Sequence, residues 1–196
     1  MLIWINSPEP ISNRFVFLDR DGVINEDSPL YIKNRREFRF YPDALEGLRL
    51  LRENRVNAIL ISNQSGLNRG IIKREDFWEM HDHMIRGIRE AGGEMLATFY
   101  CPHRPQEACA CRKPSPAMIL AASNLYKIPL TRQTVMIGDR LKDIEAATRA
   151  GCAGILIERS SITPEPVDSQ ADNTTFERYS TLEQAVISLL ESNKAW

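Results

Sequence analysis

Phe15-Val16-Phe17-Leu18 runs without a polar residue into Asp19-Arg20-Asp21-Gly22. Four β-formers ended by a glycine turn predict a buried strand. In an open α/β sheet, ligands gather beyond the carboxyl ends of such strands. Two carboxylates held together there repel: at ~4 Å and an effective dielectric of ~20 the cost is ~4 kcal/mol. A hard divalent cation with oxygen ligands relieves that repulsion. The segment points to a magnesium site and to a carboxylate with nucleophilic or acid–base work to do.

Three further stretches carry unusual residues: Ser62 to Gly70 (Ser-Asn-Gln-Ser-Gly-Leu-Asn-Arg-Gly), Cys101 to Pro114, and Gly138-Asp139-Arg140-Leu141-Lys142-Asp143. Cys101, His103, Cys109 and Cys111 offer three thiolates and one imidazole within eleven residues. That ligand set suits tetrahedral structural zinc, and three cysteines crowded beside a histidine do not read as a disulfide set. The zinc loop runs directly into Arg112-Lys113-Pro114 and would hold that basic pair over the rim of the sheet. Cys152, beside Gly151 at a helix end, reads as a buried apolar residue. His81 and His83 are two apart on a helix, cannot share a face, and are not read as ligands.

These loops need elements to position them. Strands are expected over Arg14–Leu18, Val56–Ile61, Met95–Tyr100, Thr134–Ile137 and Ala153–Ile157. Helices are expected over Pro42–Glu53, Glu75–Ala91, Ser115–Tyr126, Leu141–Ala150 and Leu182–Leu190. The third has Ser115 as its cap, with Ile119, Ala122, Leu125 and Tyr126 inward. Residues 1–13 read as an N-terminal arm that Pro8 and Pro10 keep from regular structure, and residues 14–196 as one domain. A polar, proline-containing loop to about Ala171 and a short edge strand at Thr174–Phe176 complete the chain. Strand–helix alternation with fully apolar strands predicts an α/β fold: a Rossmann-like parallel sheet with helices on both faces, a small zinc loop and no large cap domain. In such a sheet the four loops share one rim.

The Asp19-x-Asp21-Gly22 strand end, the Ser62 loop, Lys113, and Gly138-Asp139 with Asp143 together resemble the haloacid-dehalogenase-like phosphatase superfamily, over roughly Arg14 to Glu158. The resemblance implies that Asp19 is a nucleophile passing through an aspartyl-phosphate, and that Asp21 is the general acid and base. It implies magnesium held by Asp19, the Asp21 backbone carbonyl and Asp139. Ser62 and the neighbouring Asn63 and Gln64 would bind the phosphoryl group, and Lys113 would neutralise transition-state charge. Asp143 would orient Lys113 or a metal-bound water. Cys-Pro-His followed by Cys-x-Cys-Arg-Lys-Pro is similar to the capless zinc-loop branch, which holds heptose-bisphosphate and histidinol-phosphate phosphatases. The Arg69-Gly70 ending of the second loop is similar to the heptose side, where Arg69 and Arg112 would grip a second phosphate with bidentate hydrogen bonds. The segment Asn25–Phe40, with Asp27, Tyr31, Lys33, Arg35 and Arg36, would sit over the pocket. The expected substrate is a small phosphorylated sugar, with histidinol phosphate as the nearest alternative.

Composition excludes other classes. Over 196 residues, 25 Lys and Arg against 26 Asp and Glu leave a net charge of −1, which does not favour nucleic acid as a partner. No apolar run approaches the ~20 residues that span a bilayer, and the first six residues lack a basic start and an h-region. The chain reads as a cytoplasmic monomer. A phosphoacceptor signalling domain would also place acids and a lysine at strand ends, but Asp two residues after the nucleophile and a zinc loop fit turnover better.

Overall fold

A computed structural model describes residues 1–7, 9–159 and 176–192. Among these residues seven strands form one sheet: β1 (Leu2–Ile5), β2 (Phe15–Leu18), β3 (Asn57–Asn63), β4 (Ala97–Cys101), β5 (Val135–Gly138), β6 (Ala153–Ile157) and β7 (Glu177–Tyr179). Their order is β1-β4-β3-β2-β5-β6-β7. Only β1 is antiparallel to its neighbour, and the other pairs are parallel. From β2 the chain winds outward through β3 and β4 on one side and through β5 and β6 on the other. The carboxyl end of β2 is therefore the topological switch point, where open α/β sheets bind ligands, and Asp19 stands there.

Five helices cover the sheet: α1 (Pro42–Glu53), α2 (Arg74–Glu90), α3 (Ala117–Tyr126), α4 (Leu141–Ala150) and α5 (Leu182–Glu191). Strand alternation divides the core into two layers. Val16, Leu18, Ala58 and Leu60 pack with Leu48 of α1, Met84 of α2 and Val186 of α5. Phe15, Phe17, Ile59 and Ile61 pack with Ile119 of α3 and Ala147 of α4 on the other face. Local signals account for several boundaries. Pro42 opens α1 at a position where a missing N–H costs nothing. Gly151 closes α4 at φ +85°, with the Cys152 N–H returning to the Ala147 carbonyl.

Three expectations fail locally. The arm holds an edge strand: β1 pairs Leu2 through Ile5 with Tyr100 through Ala97, and Trp4 lies 5.2 Å from Trp78, ring centroid to ring centroid. Four consecutive apolar residues, Leu2 to Ile5, suffice to pair with the open edge of β4 ahead of Pro8. Leu125 of α3 is 45% exposed rather than inward. Apart from Ser123 and Asn124 that helix is apolar, so periodicity marks its buried face only weakly. Ser115 does not cap α3 directly; Pro116 takes the N-cap position, and the Ser115 hydroxyl accepts from the Ala117 N–H at 3.3 Å. Of the expected edge strand Thr174–Phe176, residues 174 and 175 lie outside the described residues, as does most of the loop before it, and β7 begins at Glu177. Among the described residues no helix is long and apolar enough to cross a membrane.

Candidate active site

Asp19 follows β2 directly and is 6% exposed. Its Oδ2 lies 3.0 Å from Lys113 Nζ, and its Oδ1 accepts the Arg20 N–H at 2.7 Å. Burial alone would raise this carboxyl. Burial is the largest single effect, but the Lys113 charge together with hydrogen bonds from Lys113, the Arg20 N–H and the Ser62 hydroxyl overcomes it and holds Asp19 below its ordinary range. Asp19 is thereby kept ionised, as a nucleophile must be.

Lys113 is buried, and three oxygens meet its ammonium: Asp19 Oδ2, Asp143 Oδ1 at 2.7 Å and the Ile61 carbonyl at 2.7 Å. Desolvation would lower its pKa, but Asp143 and Asp19 beside it raise it, so the side chain stays a cation. Its backbone is fixed as well. Lys113 N–H donates to Asn63 Oδ1 at 3.0 Å, and Asn63 Nδ2 donates to the Lys113 carbonyl at 3.1 Å. The Asn63 amide, expected at the phosphate, is committed to this pair, which spans fifty residues of chain.

Asp143 stands in the first turn of α4 and is fully buried. Its Oδ2 accepts the Arg140 N–H at 3.0 Å, satisfying a helix-end donor, while Oδ1 faces Lys113. One oxygen thus meets the lysine and the other the start of α4. Asp139 is left to the cleft. Its Oδ2 has no hydrogen-bond partner among the described residues, and Arg140 Nε lies 3.1 Å from it. Burial first, then the nearby Asp19 and Asp143 charges, push the Asp139 carboxyl up to about 8.

Two glycines let these strands' ends approach. A Cβ on Gly22, at φ +78°, would fall 2.3 Å from Asp139 Oδ2, and one on Gly138 would fall 2.3 Å from Asp143 Cβ. Ligating atoms of Asp19, Asp139 and Asp143 all lie within 4.8 Å of one another. Asp143 is spent on Lys113 and the helix end. Asp19 and Asp139 remain as a buried carboxyl pair with one Asp139 oxygen lacking a hydrogen bond among the described residues, a donor set that fits a hard divalent cation.

Asp21 lines the same cleft. It accepts from Arg20 Nε and Nη2, from Asn25 Nδ2 at 2.9 Å and from Gln64 Nε2 at 2.8 Å. Gln64 also donates to Ser62 Oγ at 3.1 Å, tying the second loop to the first. Ser62 is buried beside Asp19. The cleft encloses about 200 Å³, and its cations are Arg20, Arg112, Arg140 and Lys142. Arg112 donates to the His103 carbonyl at 3.2 Å. Arg69 is exposed on the turn beyond the rim and is not among the cleft residues. Asp27 and Tyr31 do line the cleft. Arg35 and Arg36 face a separate groove with Asp76 and His83, and Lys33 pairs with Glu37. Arg140, Lys142 and the Arg20 clasp escaped the sequence reading because no spacing rule marks a lone cation inside a motif.

The cysteine–histidine loop closes as a cluster. Cys101 Sγ lies 3.6 Å from Cys109 Sγ, and Cys109 Sγ lies 3.8 Å from Cys111 Sγ. His103 Nδ1 is 3.5 Å from the sulfur of Cys101 and 3.3 Å from that of Cys111. The sulfurs are too far apart for disulfides, and bonds of about 2.3 Å from a central zinc would put sulfurs roughly 3.8 Å apart. The cluster is compatible with zinc. Cys152 is buried, with its thiol pushed up to about 12 by desolvation, and packs as a small hydrophobe.

A parallel sheet with an aspartate at its switch point, and with a lysine and a second aspartate converging from later strands, defines a haloacid-dehalogenase-like hydrolase. Residues 110–185 match the HAD-hydrolase-like family. The chain is 38% identical over 145 residues to the D-glycero-β-D-manno-heptose-1,7-bisphosphate 7-phosphatase of Bordetella bronchiseptica, covering 74% of this chain and 80% of that one. It is 35% identical over 164 residues to the enzyme of the same name from Photorhabdus laumondii, covering 80% and 85%. The crystal structure of the B. bronchiseptica D,D-heptose 1,7-bisphosphate phosphatase, complexed with magnesium and phosphate, superposes with a TM-score of 0.82 at 33% identity, over 91% of this chain and 99% of that one. The chain belongs to the haloacid-dehalogenase-like phosphatase family that includes these enzymes, and is a phosphoric monoester hydrolase.

Proposed function

We propose that this protein removes the 7-phosphate of D-glycero-D-manno-heptose 1,7-bisphosphate, with Asp19 as nucleophile. The observation that carries the chemistry is the buried Asp19–Lys113–Asp143 array with Asp139 alongside. The relatives' substrate supports the choice of sugar. Asp19 attacks phosphorus, the bond from phosphorus to the sugar oxygen breaks, and Asp21 protonates the departing alkoxide. Asp21 then takes a proton from water, whose oxygen attacks the aspartyl-phosphate. Inorganic phosphate leaves, and the Asp19 carboxylate is restored. Hydrogen bonds from Arg20, Asn25 and Gln64 hold the Asp21 carboxylate in place at the cleft. To act first as an acid it must exchange the Arg20 guanidinium for the leaving oxygen. Ser62 and Lys113 meet the phosphoryl oxygens, and Lys113 neutralises charge that grows on them.

Asp19, the Asp21 carbonyl and Asp139 would hold magnesium. When bound, the ion offsets the mutual repulsion of nucleophile and phosphoryl group. Cys101, His103, Cys109 and Cys111 would hold structural zinc and brace Arg112 and Lys113. Arg112 and Lys142, both on the cleft, supply cations for the 1-phosphate. The test is product analysis by phosphorus NMR on heptose 1,7-bisphosphate, beside steady-state rates on histidinol phosphate. Heptose 1-phosphate as the product, with the higher kcat/KM for the bisphosphate, is expected. Release of the 1-phosphate, or a preference for histidinol phosphate, overturns the assignment.

A further inference from the structure

Arg159 follows β6 and sits outside every motif noted in the sequence, yet its guanidinium makes four hydrogen bonds beside the rim. It pairs bidentately with Asp43, Nη1 to Oδ1 and Nη2 to Oδ2, both at 2.9 Å. Its Nε donates to the Gly22 carbonyl at 3.1 Å and its Nη2 to the Val23 carbonyl at 3.3 Å. The guanidinium carbon lies 3.4 Å from the centroid of the Tyr41 ring, and the side chain is only 9% exposed. Asp43, in the first turn of α1, also accepts the Leu182 N–H that opens α5. One arginine thus joins β6, α1 and, through Asp43, α5 to the backbone immediately after Asp21.

That backbone is where tolerance is least. Gly22 is packed so closely on Asp139 that no Cβ fits between them. A shift of Gly22 changes the separation of the Asp19–Asp21 turn from Asp139. The turn closes on itself through Gly22 N–H to Asn25 O and Ile24 N–H to Arg20 O, but those bonds set its shape and not its place relative to β5. The Asp19 N–H donates to the Ile137 carbonyl of β5 at 2.9 Å and fixes where the turn begins; the Gly22 and Val23 carbonyls beyond it are held from the β6 side by Arg159. We infer that Arg159, oriented by Asp43, is a positioning residue that sets the Asp21–Gly22 turn against Asp139. This rests on the phosphatase reading above.

The test compares wild type, Arg159→Lys and Asp43→Asn. Lysine keeps the charge but cannot span two carbonyls and a carboxylate with one ammonium. Misplacing reacting groups by about 1 Å costs on the order of 10²-fold in rate. For Arg159→Lys, kcat on para-nitrophenyl phosphate should fall about 10- to 100-fold with KM changed less than about twofold. The Mn²⁺ affinity measured by paramagnetic resonance without substrate should weaken several-fold. Asp43→Asn keeps an acceptor for Leu182 and should move both readouts the same way by less, and it carries the test if Arg159→Lys does not fold. An unchanged kcat and Mn²⁺ affinity in folded variants, with only a lower melting temperature, overturns the inference. An inactive wild type would instead overturn the phosphatase reading.

Discussion

Two carboxylates share the Lys113 ammonium, and their removal should have opposite consequences. Asp19 stands at the cleft, while Asp143 is wholly interior and also closes the start of α4. Asp19→Asn keeps shape and leaves Lys113 its Asp143 partner, so the fold should survive. Turnover should fall by roughly 10³-fold or more, because an amide does not form the acyl phosphate. Asp143→Ala leaves a buried cation half compensated and a helix-end N–H unmet. It should cost about 3 kcal/mol of stability as well as activity. Urea unfolding and phosphate release on the two variants separate these outcomes; an Asp19→Asn protein free of contaminating phosphatase yet active like wild type would end the proposed mechanism. Asp19 was legible in the sequence because it ends an apolar run, whereas Asp143 and Lys113 were legible only through the family resemblance. The occupation of Asn63 was not, since its partner is the Lys113 backbone fifty positions away and no periodicity links them.

The cysteine–histidine loop is the element on which Lys113 depends, for Cys111 precedes the Arg112–Lys113 pair and the loop has little apolar burial of its own. Its only regular structure is a single 3₁₀ turn, Pro105–Glu107, with no buried residue. A metal ion would hold it where packing does not. Stripping zinc with a strong chelator under reducing conditions should lower the melting temperature by at least about 5 °C. It should also reduce kcat, with recovery of both on adding zinc back. A verified zinc-free protein that melts and turns over normally would refute the bracing role. Helix boundaries elsewhere were readable wherever chemistry punctuates the chain, as with Pro42 opening α1 and Gly151 closing α4. They failed where the signal is degenerate. The largely apolar α3 could not declare its exposed face, and β1, four consecutive apolar residues close to Pro8 and Pro10, shows no alternation to mark it. The Arg159 clasp has no sequence signature, because it joins residues 116 to 137 positions apart.

At the scale of the whole molecule, His81 joins the edge strand to the core. Its ring lies 5.8 Å from Trp4 of β1, 5.6 Å from Trp78 and 5.9 Å from Tyr100 of β4. Its Nδ1 shares a hydrogen bond with the Tyr100 hydroxyl at 3.0 Å, while Nε2 is buried without a partner among the described residues. Desolvation, with a smaller contribution from Arg20 against an opposing one from Asp82, lowers its pKa from 6.5 to about 4. A histidine depressed on folding binds its proton more readily in the unfolded chain. Its full contribution to stability is therefore present above pH 6.5 and drains away as pH falls through 6.5 toward 4. Moving the imidazole from 6.5 to about 4 corresponds to about 3 kcal/mol. Between pH 7.5 and pH 4.5 the wild type should lose roughly 2–3 kcal/mol more than a His81→Gln variant, whose amide cannot titrate. Urea unfolding of both proteins at the two pH values measures the difference. The comparison cancels the carboxylates common to both proteins, including the coupled acids of the cleft. Equal losses in the two proteins would mean that the aromatic box accepts the imidazolium without cost, and that β1 does not depend on the neutral ring.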